Sequence, residues 1–233
     1  MTAPTFVADY ESATGWGSAT SPHTGSVTTA VGDVLAVLSA MEANGNSMAL
    51  PTGGTGTYVN RVNLDPANQC QVRVDVAVTG ITAQTYTLSQ TRGASSLKYG
   101  WDALRFSGSD GEGAFASTSA FDGAPSLSIT TTQADSAICV ICADFEAGDG
   151  TTRTWRTVNG ITPTAANGLE LVYFRDAAAY TVYVAYYSNA GAIGAKTVGL
   201  TLPSGQDYAI AALEIKGTVS AAARLHNLLH VGQ

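Results

Sequence analysis

The chain has 233 residues, enough for one large domain or two small ones. Hydrophobic residues make up 45% and charged residues only 12%, which argues against intrinsic disorder, and a formal net charge of −7 argues against a phosphate-backbone binder. No stretch approaches the roughly 20 consecutive apolar residues of a membrane span, so neither nucleic acid nor membrane insertion is expected.

The chain opens Met1-Thr2-Ala3-Pro4-Thr5-Phe6-Val7, with no basic region and no apolar run of a secretory leader. Folding in a cytoplasm is therefore expected. From there the hydrophobic period is two almost throughout. Strands are predicted over Thr5–Tyr10, Gly25–Ala30, Val34–Met41, Thr57–Asn63, Gln71–Val78, Tyr86–Thr91 and Tyr99–Phe106. Further strands are predicted over Ser126–Thr131, Ala137–Phe145, Arg153–Thr157, Glu170–Arg175, Tyr180–Tyr187, Thr197–Thr201 and Tyr208–Lys216. Turn clusters such as Gly53-Gly54-Thr55-Gly56 and Pro203-Ser204-Gly205 separate them. In Gln71–Val78 the four valines share one face, and Gln71, Arg73 and Asp75 share the other. That pattern predicts a core face and a wetter face. Val72, Val74, Val76 and Val78 should then line one inter-sheet core with Leu104, Phe106, Leu213 and Ile215, and Arg73→Ser should be tolerated.

A weak internal repeat accompanies the strands. Tyr99–Gly108 aligns with Tyr208–Gly217, 109 residues later, and Ser26–Asp33 aligns with Ser128–Asp135, 102 residues later. Residues 108 to 126 hold no Pro-rich or charge-rich linker. The expected fold is all-β: a jelly-roll-like antiparallel β-sandwich over residues 1–217, built from two weakly repeated halves of about 1–108 and 109–217. Each half on its own has too few predicted strands to close a core. Ser220–His230 breaks the pattern with helix-forming alanines and a stripe of Leu225, Leu228 and Leu229. It predicts a short C-terminal helix over part of 218–233 that must bury its stripe, against its own sandwich or another subunit. Attachment or oligomerisation, in a heterologous ring such as a trimer, is the role expected of these leucines.

Candidate chemistry is sparse. Cys139 and Cys142 form a C-x-x-C, but on a strand they point to opposite faces and nothing completes a metal site, so buried structural thiols are expected, as for Cys70. His226 and His230 are four apart on the predicted helix without a third ligand. His23 lies in a predicted loop with no evident partner. The acidic turn Asp144–Gly150 lacks the alternating oxygens of a calcium loop, and Asp110, Glu112 and Asp122 do not form an obvious acid/base pair. No catalytic residue, metal site or cofactor is therefore assigned. Trp101, Tyr183 and Tyr187 lie on strand faces that would stack sugar rings if exposed, or otherwise form a second packing surface, within the twisted sandwich or against a subunit.

Thr5-Phe6-Val7-Ala8-Asp9-Tyr10-Glu11, Ser26–Val37, Ala103–Gly108 and Ile129–Asp135 together resemble a family of β-sandwich virion proteins of tailed, especially actinobacterial, bacteriophages. The resemblance spans roughly residues 4–217 and carries no catalytic residue. It implies a minor tail or other virion structural protein, with other virion proteins as partners and the virion as location. Three classes follow in order: a non-enzymatic tail or head-surface component held by subunit contacts; a carbohydrate- or receptor-binding module for a host-surface glycan; and a glycan-degrading enzyme on a jelly-roll scaffold.

Overall fold

A computed structural model describes residues 1–43, 45, 47–67, 69–93, 96–145, 152–177 and 179–218. The chain is all-β. In the first half the strands are β1 (Thr5–Glu11), β2 (His23–Thr29), β3 (Val34–Met41), β4 (Tyr58–Leu64), β5 (Gln71–Ala77), β6 (Gln84–Gln90) and β7 (Tyr99–Ser107). In the second they are β8 (Glu112–Gly123), β9 (Ser126–Thr131), β10 (Ala137–Asp144), β11 (Thr154–Trp155), β12 (Glu170–Asp176), β13 (Tyr180–Tyr187), β14 (Gly194–Leu202) and β15 (Gln206–Ile215). A 3-10 turn spans Ala165–Asn167. No described helix is long and apolar enough to cross a membrane. The predicted C-terminal helix, with Leu225, Leu228, Leu229, His226 and His230, lies outside the described residues.

Two five-stranded antiparallel sheets have the orders β1-β7-β3-β5-β4 and β8-β15-β10-β13-β12. The same path is thus traced twice: first strand at an edge, last strand beside it, third strand in the centre. The sheets pack face to face. Their shared core holds Val72, Val74, Val76, Leu104, Phe106, Leu213 and Ile215, with Val78 against it. All eight residues expected in the inter-sheet core are there. Burying each contributes roughly 1.5–3 kcal/mol. Cys139 faces this core and Cys142 the opposite side of its sheet, both fully buried, as strand alternation requires. Burial pushes both thiols up, out of the range of a reactive thiolate.

Each large sheet also carries a roof on its outer face. The ribbon β2-β6 covers the first sheet over Val27, Leu35, Val37, Leu88, Trp101 and Ala103. The ribbon β11-β14-β9 covers the second over Ile138, Val140, Tyr183, Tyr187, Val198 and Ile210, among others. Each half-chain therefore has a smaller core of its own beneath its ribbon, besides the inter-sheet core that the two halves share. Four β-layers result. The gap between roof and sheet is narrow. A methyl group at Gly25 of β2 would meet the Trp101 ring at 2.6 Å and the Glu11 carbonyl at 3.0 Å. Gly25→Ala is expected to cost about 1–3 kcal/mol through this overlap, read as a lowered midpoint in urea; an unchanged midpoint would mean that the ribbon lifts freely.

The face of β5 opposite the valines is not wet. Gln71 and Asp75 are fully buried and Arg73 nearly so. The reason is local: the chain between β3 and β4 folds over this face, and the Arg73 guanidinium donates to the Met48 carbonyl at 2.6 Å and to both Asp75 oxygens at 2.6 and 2.8 Å. Asn60 Nδ2 donates to Asp75 as well, at 2.8 Å. Alternation placed the residues on the correct faces; it could not show that a loop would cover the polar one.

Candidate functional site

Trp101, Tyr183 and Tyr187 do not form a surface platform. All three are fully buried beneath the roofing ribbons. The Trp101 Nε1–H donates to the His23 carbonyl and the Tyr187 hydroxyl to the Arg156 carbonyl. The sugar-stacking alternative at these residues is thereby corrected. The strand face that alternation left free is filled by a second sheet layer in each half.

His23 is not in a loop either. It opens β2 and is fully buried. Its ring stacks on Tyr99 with centroids 3.9 Å apart, and Nδ1 lies 3.4 Å from the Ser12 hydroxyl. Desolvation holds the imidazole down at about 4, so it is neutral at physiological pH. A Ser–His contact of this kind can suggest a nucleophile, but here both groups lie inside the fold beneath Tyr99.

Of the acidic candidates, Glu112 is paired with Arg61 across the β4/β8 edge, the Arg61 Nε–H donating at 2.7 Å. Asp122 is exposed at the far end of β8, and Asp110 donates its backbone N–H to the Lys216 carbonyl. They stand apart rather than converge. Most of the acidic turn, residues 146–150, lies outside the described residues, and Asp144 is buried at the end of β10. Among the described residues no group of three or more His, Cys, Asp or Glu side chains could hold a metal ion.

One concave polar site does emerge that sequence reasoning missed. A cavity of about 360 Å³ is lined by Arg153, Trp155, Thr162, Pro163, Thr164 and Glu170, among others. Strand β11 is held on β14, and β12 brings Glu170 alongside. The Glu170 carboxylate accepts from Arg153 Nε at 2.6 Å and from Trp155 Nε1 at 2.9 Å. The guanidinium also lies over the Tyr173 ring, 4.0 Å from its centroid, a favourable cation–π placement. Thr164 caps the 3-10 turn, its hydroxyl accepting from the Asn167 N–H. Both oxygens are thus held by donors, which fixes the carboxylate relative to Arg153 and Trp155. The wall offers threonine hydroxyls and a planar ion pair, groups suited to hydroxyl-rich ligands. Residues 153 and 170 are too far apart in sequence, and too ordinary in type, to have signalled the pairing.

Comparison of the chain with family models, with curated proteins and with solved structures gives no match.

Proposed function

We propose that the chain is a non-enzymatic structural subunit of a tailed-bacteriophage particle, a minor tail or head-surface decoration component held by subunit contacts. The observation that carries this reading is the four-layer block itself. Its aromatic side chains and cysteines are largely turned inward, and its roofs present small hydroxyl side chains outward: Ser26, Thr28, Thr85 and Thr87 on one ribbon, Ser128, Thr130 and Thr197 on the other. Such a part is stiff, weakly charged and chemically plain, which suits a repeated building element. The family resemblance in residues 4–217 supports the same reading. The segment bearing Leu225, Leu228 and Leu229 serves as the attachment element.

The test is direct. Antibody against the chain should label purified parent particles, and a cryo-EM map of those particles should place the four-layer block on tail or head. Its absence from purified particles would overturn the proposal. Deleting residues 219–233 should leave a domain that melts cooperatively yet no longer enters particles; normal incorporation of the truncated chain would remove the attachment role. Purified protein should leave labelled host-wall fragments intact. Turnover that disappears on changing one carboxylate would instead make it an enzyme.

The cavity beside Arg153 and Glu170 favours a second reading, a module that binds a host-surface glycan. On that reading Thr164→Ala and Glu170→Gln, which also remove a cap and an ion pair, would each lower retention on immobilised host polysaccharide at a temperature where both variants remain folded. Equal retention of both variants and the unaltered chain would remove it.

A further inference from the structure

Each large sheet has two edges, and three of the four edge strands are blunted. β1 is bulged at Val7 and carries Asp9 and Glu11. β4 is bulged at Arg61. β12 is bulged at Leu171 and carries Glu170, Arg175 and Asp176. Bulges and charges of this kind stop edges from pairing with other chains. β8 differs. Its register on β15 runs unbroken from Phe115 to Ala120, with irregularities only towards the two ends of the strand. Between Glu112 and Asp122 it has no charge and no proline. Phe115 and Phe121 are 50% and 60% exposed there.

The sequence of this edge reads the same in both directions. Phe115-Ala116-Ser117-Thr118-Ser119-Ala120-Phe121 is a palindrome about Thr118, and Gly113 and Gly123 extend it. An antiparallel pair of identical strands related by a two-fold axis needs each residue to suit its mirror position. Centred on Thr118, such a pair sets Phe115 against Phe121 of the second copy, Ala116 against Ala120, Ser117 against Ser119, and Thr118 against itself. Glu112 and Asp122 fall opposite alanines, so no like charges meet.

The backbone is aimed correctly for this pairing. The Asp207 carbonyl accepts from Phe145 on the β10 side of β15, whereas Lys216 exchanges hydrogen bonds with Gly111 and Asp110 on the β8 side. Even-numbered residues of β15 therefore face β8. The register of Ile210 with Thr118 and of Ala212 with Ala116 then turns the even members of β8 toward β15. The N–H and C=O groups of Phe115, Ser117 and Ser119 point away from the sheet, and the two-fold arrangement matches Ser117 with Ser119 and Phe115 with Phe121 of the second copy.

We propose that β8 is a homodimerisation edge, pairing antiparallel with β8 of a second copy of this chain to join two five-stranded sheets into one of ten strands. The proposal holds whether or not the chain is a particle component. It is separate from any contact made by residues 219–233.

The test uses cysteine in the full chain, whose native thiols are all buried. At the axis, Thr118 would face its own copy in a non-hydrogen-bonded pair about 4.5 Å apart between Cα atoms, within bridging range. Ser117 would lie roughly 8–9 Å from its own copy, by the strand spacings, which is too far to bridge. The unaltered chain should sediment at twice the monomer mass at tens of micromolar. Under mild oxidation Thr118→Cys should convert mostly to a covalent dimer and Ser117→Cys should not, while Ser117→Cys combined with Ser119→Cys should bridge again. A monomeric mass for the unaltered chain, or equal cross-linking of the two single variants, would overturn the proposal. So would a Thr118→Cys chain that cross-links only after residues 219–233 are deleted, since that would make the C-terminal segment the occupant of this edge.

Discussion

Arg73→Ser is expected to lower stability by about 3–5 kcal/mol, the usual cost of removing one partner from a buried ion pair. Asp75 is fully buried and depends on Arg73 for two of its hydrogen bonds. Burial alone pushes its carboxyl up, and the guanidinium works against that shift. Without the guanidinium a desolvated acid is left, and the Met48 carbonyl loses its donor too. A loss of that size is a large part of the total stability of most domains. One residue along, Val74→Asp puts an unpaired carboxylate into the inter-sheet core and should abolish soluble expression. Both neighbours should thus be intolerant, for opposite reasons. Replacing the whole pair, as Arg73→Met with Asp75→Leu, should recover most of the loss, because neither charge is then stranded. Urea titration of the unaltered chain, Arg73→Ser and the double variant reads these stabilities, and soluble yield reads Val74→Asp. An unchanged midpoint for Arg73→Ser would mean that the loop carrying Met48 does not seal this face.

Asp102→Asn is expected to stabilise the chain at neutral pH and to change how stability varies with pH. Asp102 lies on the core-facing side of β7, fully buried, between Leu38 on β3 and Glu11 on β1. Neither carboxyl oxygen accepts a well-directed hydrogen bond from a described residue. Burial raises its pKa well above 3.8, the nearby Asp9 and Glu11 add to the rise, and the Tyr10 and Ala103 amides offset it only in part. A raised acid favours folding while it stays protonated. The unfolded chain releases this proton above about pH 4 and the folded chain does not. Stability should therefore fall as pH rises from there to the folded-state pKa, by about 1.4 kcal/mol per pH unit. His23 acts in the opposite sense. Its pKa is lowered to about 4, so stability is lost as pH falls from about 6.5 towards that value. The quantity to measure is the difference between the unaltered chain and Asp102→Asn at each pH, which leaves His23 out. A difference that stays flat between pH 4 and 7 would show that Asp102 ionises freely in the fold.

Strand alternation made much of this fold legible. The predicted strands fall on those observed, and the valines of β5 lie on the face their period assigns. The strand that escaped was β8. Its alanines, serines and glycines dilute the β-branched and aromatic residues that mark a strand to Phe115, Thr118 and Phe121. The repeat was visible at Tyr99–Gly108 against Tyr208–Gly217, because both last strands are buried on both faces and keep their apolar residues. It blurred at Asp33. Val34 pairs with Phe106 as Ala137 pairs with Ile215, so the counterpart of Asp33 is Ser136, not Asp135. The chemistry there has inverted. Arg105 pairs with Asp33 at 2.5 Å, whereas Glu214, in the place of Arg105, accepts from Ser136 Oγ and from the Thr132 and Gln133 amides. Trp101, Tyr183 and Tyr187 could not be placed from the sequence because period two says which residues share a face, not whether another layer covers it. Arg153 and Glu170 meet only through the packing of β11 beside β12.

The repeated strand order also governs how the chain must be made. β15, the last strand among the described residues, sits between β10 and β8 in the interior of its sheet. The second sheet therefore stays open until Ile215 has left the ribosome. By then the first half has long been complete, with Val72, Val74, Val76, Leu104 and Phe106 on a face that only the unfinished sheet can cover. At translation rates of about 5–20 residues per second, roughly 5–20 s separate the end of β7 from the end of β15. For that interval a five-stranded apolar surface is exposed. A ribosome stalled about 40 residues beyond Gly108 should hold its nascent chain bound to chaperone, and one stalled at a similar distance beyond Gly217, on an appended linker, should release it.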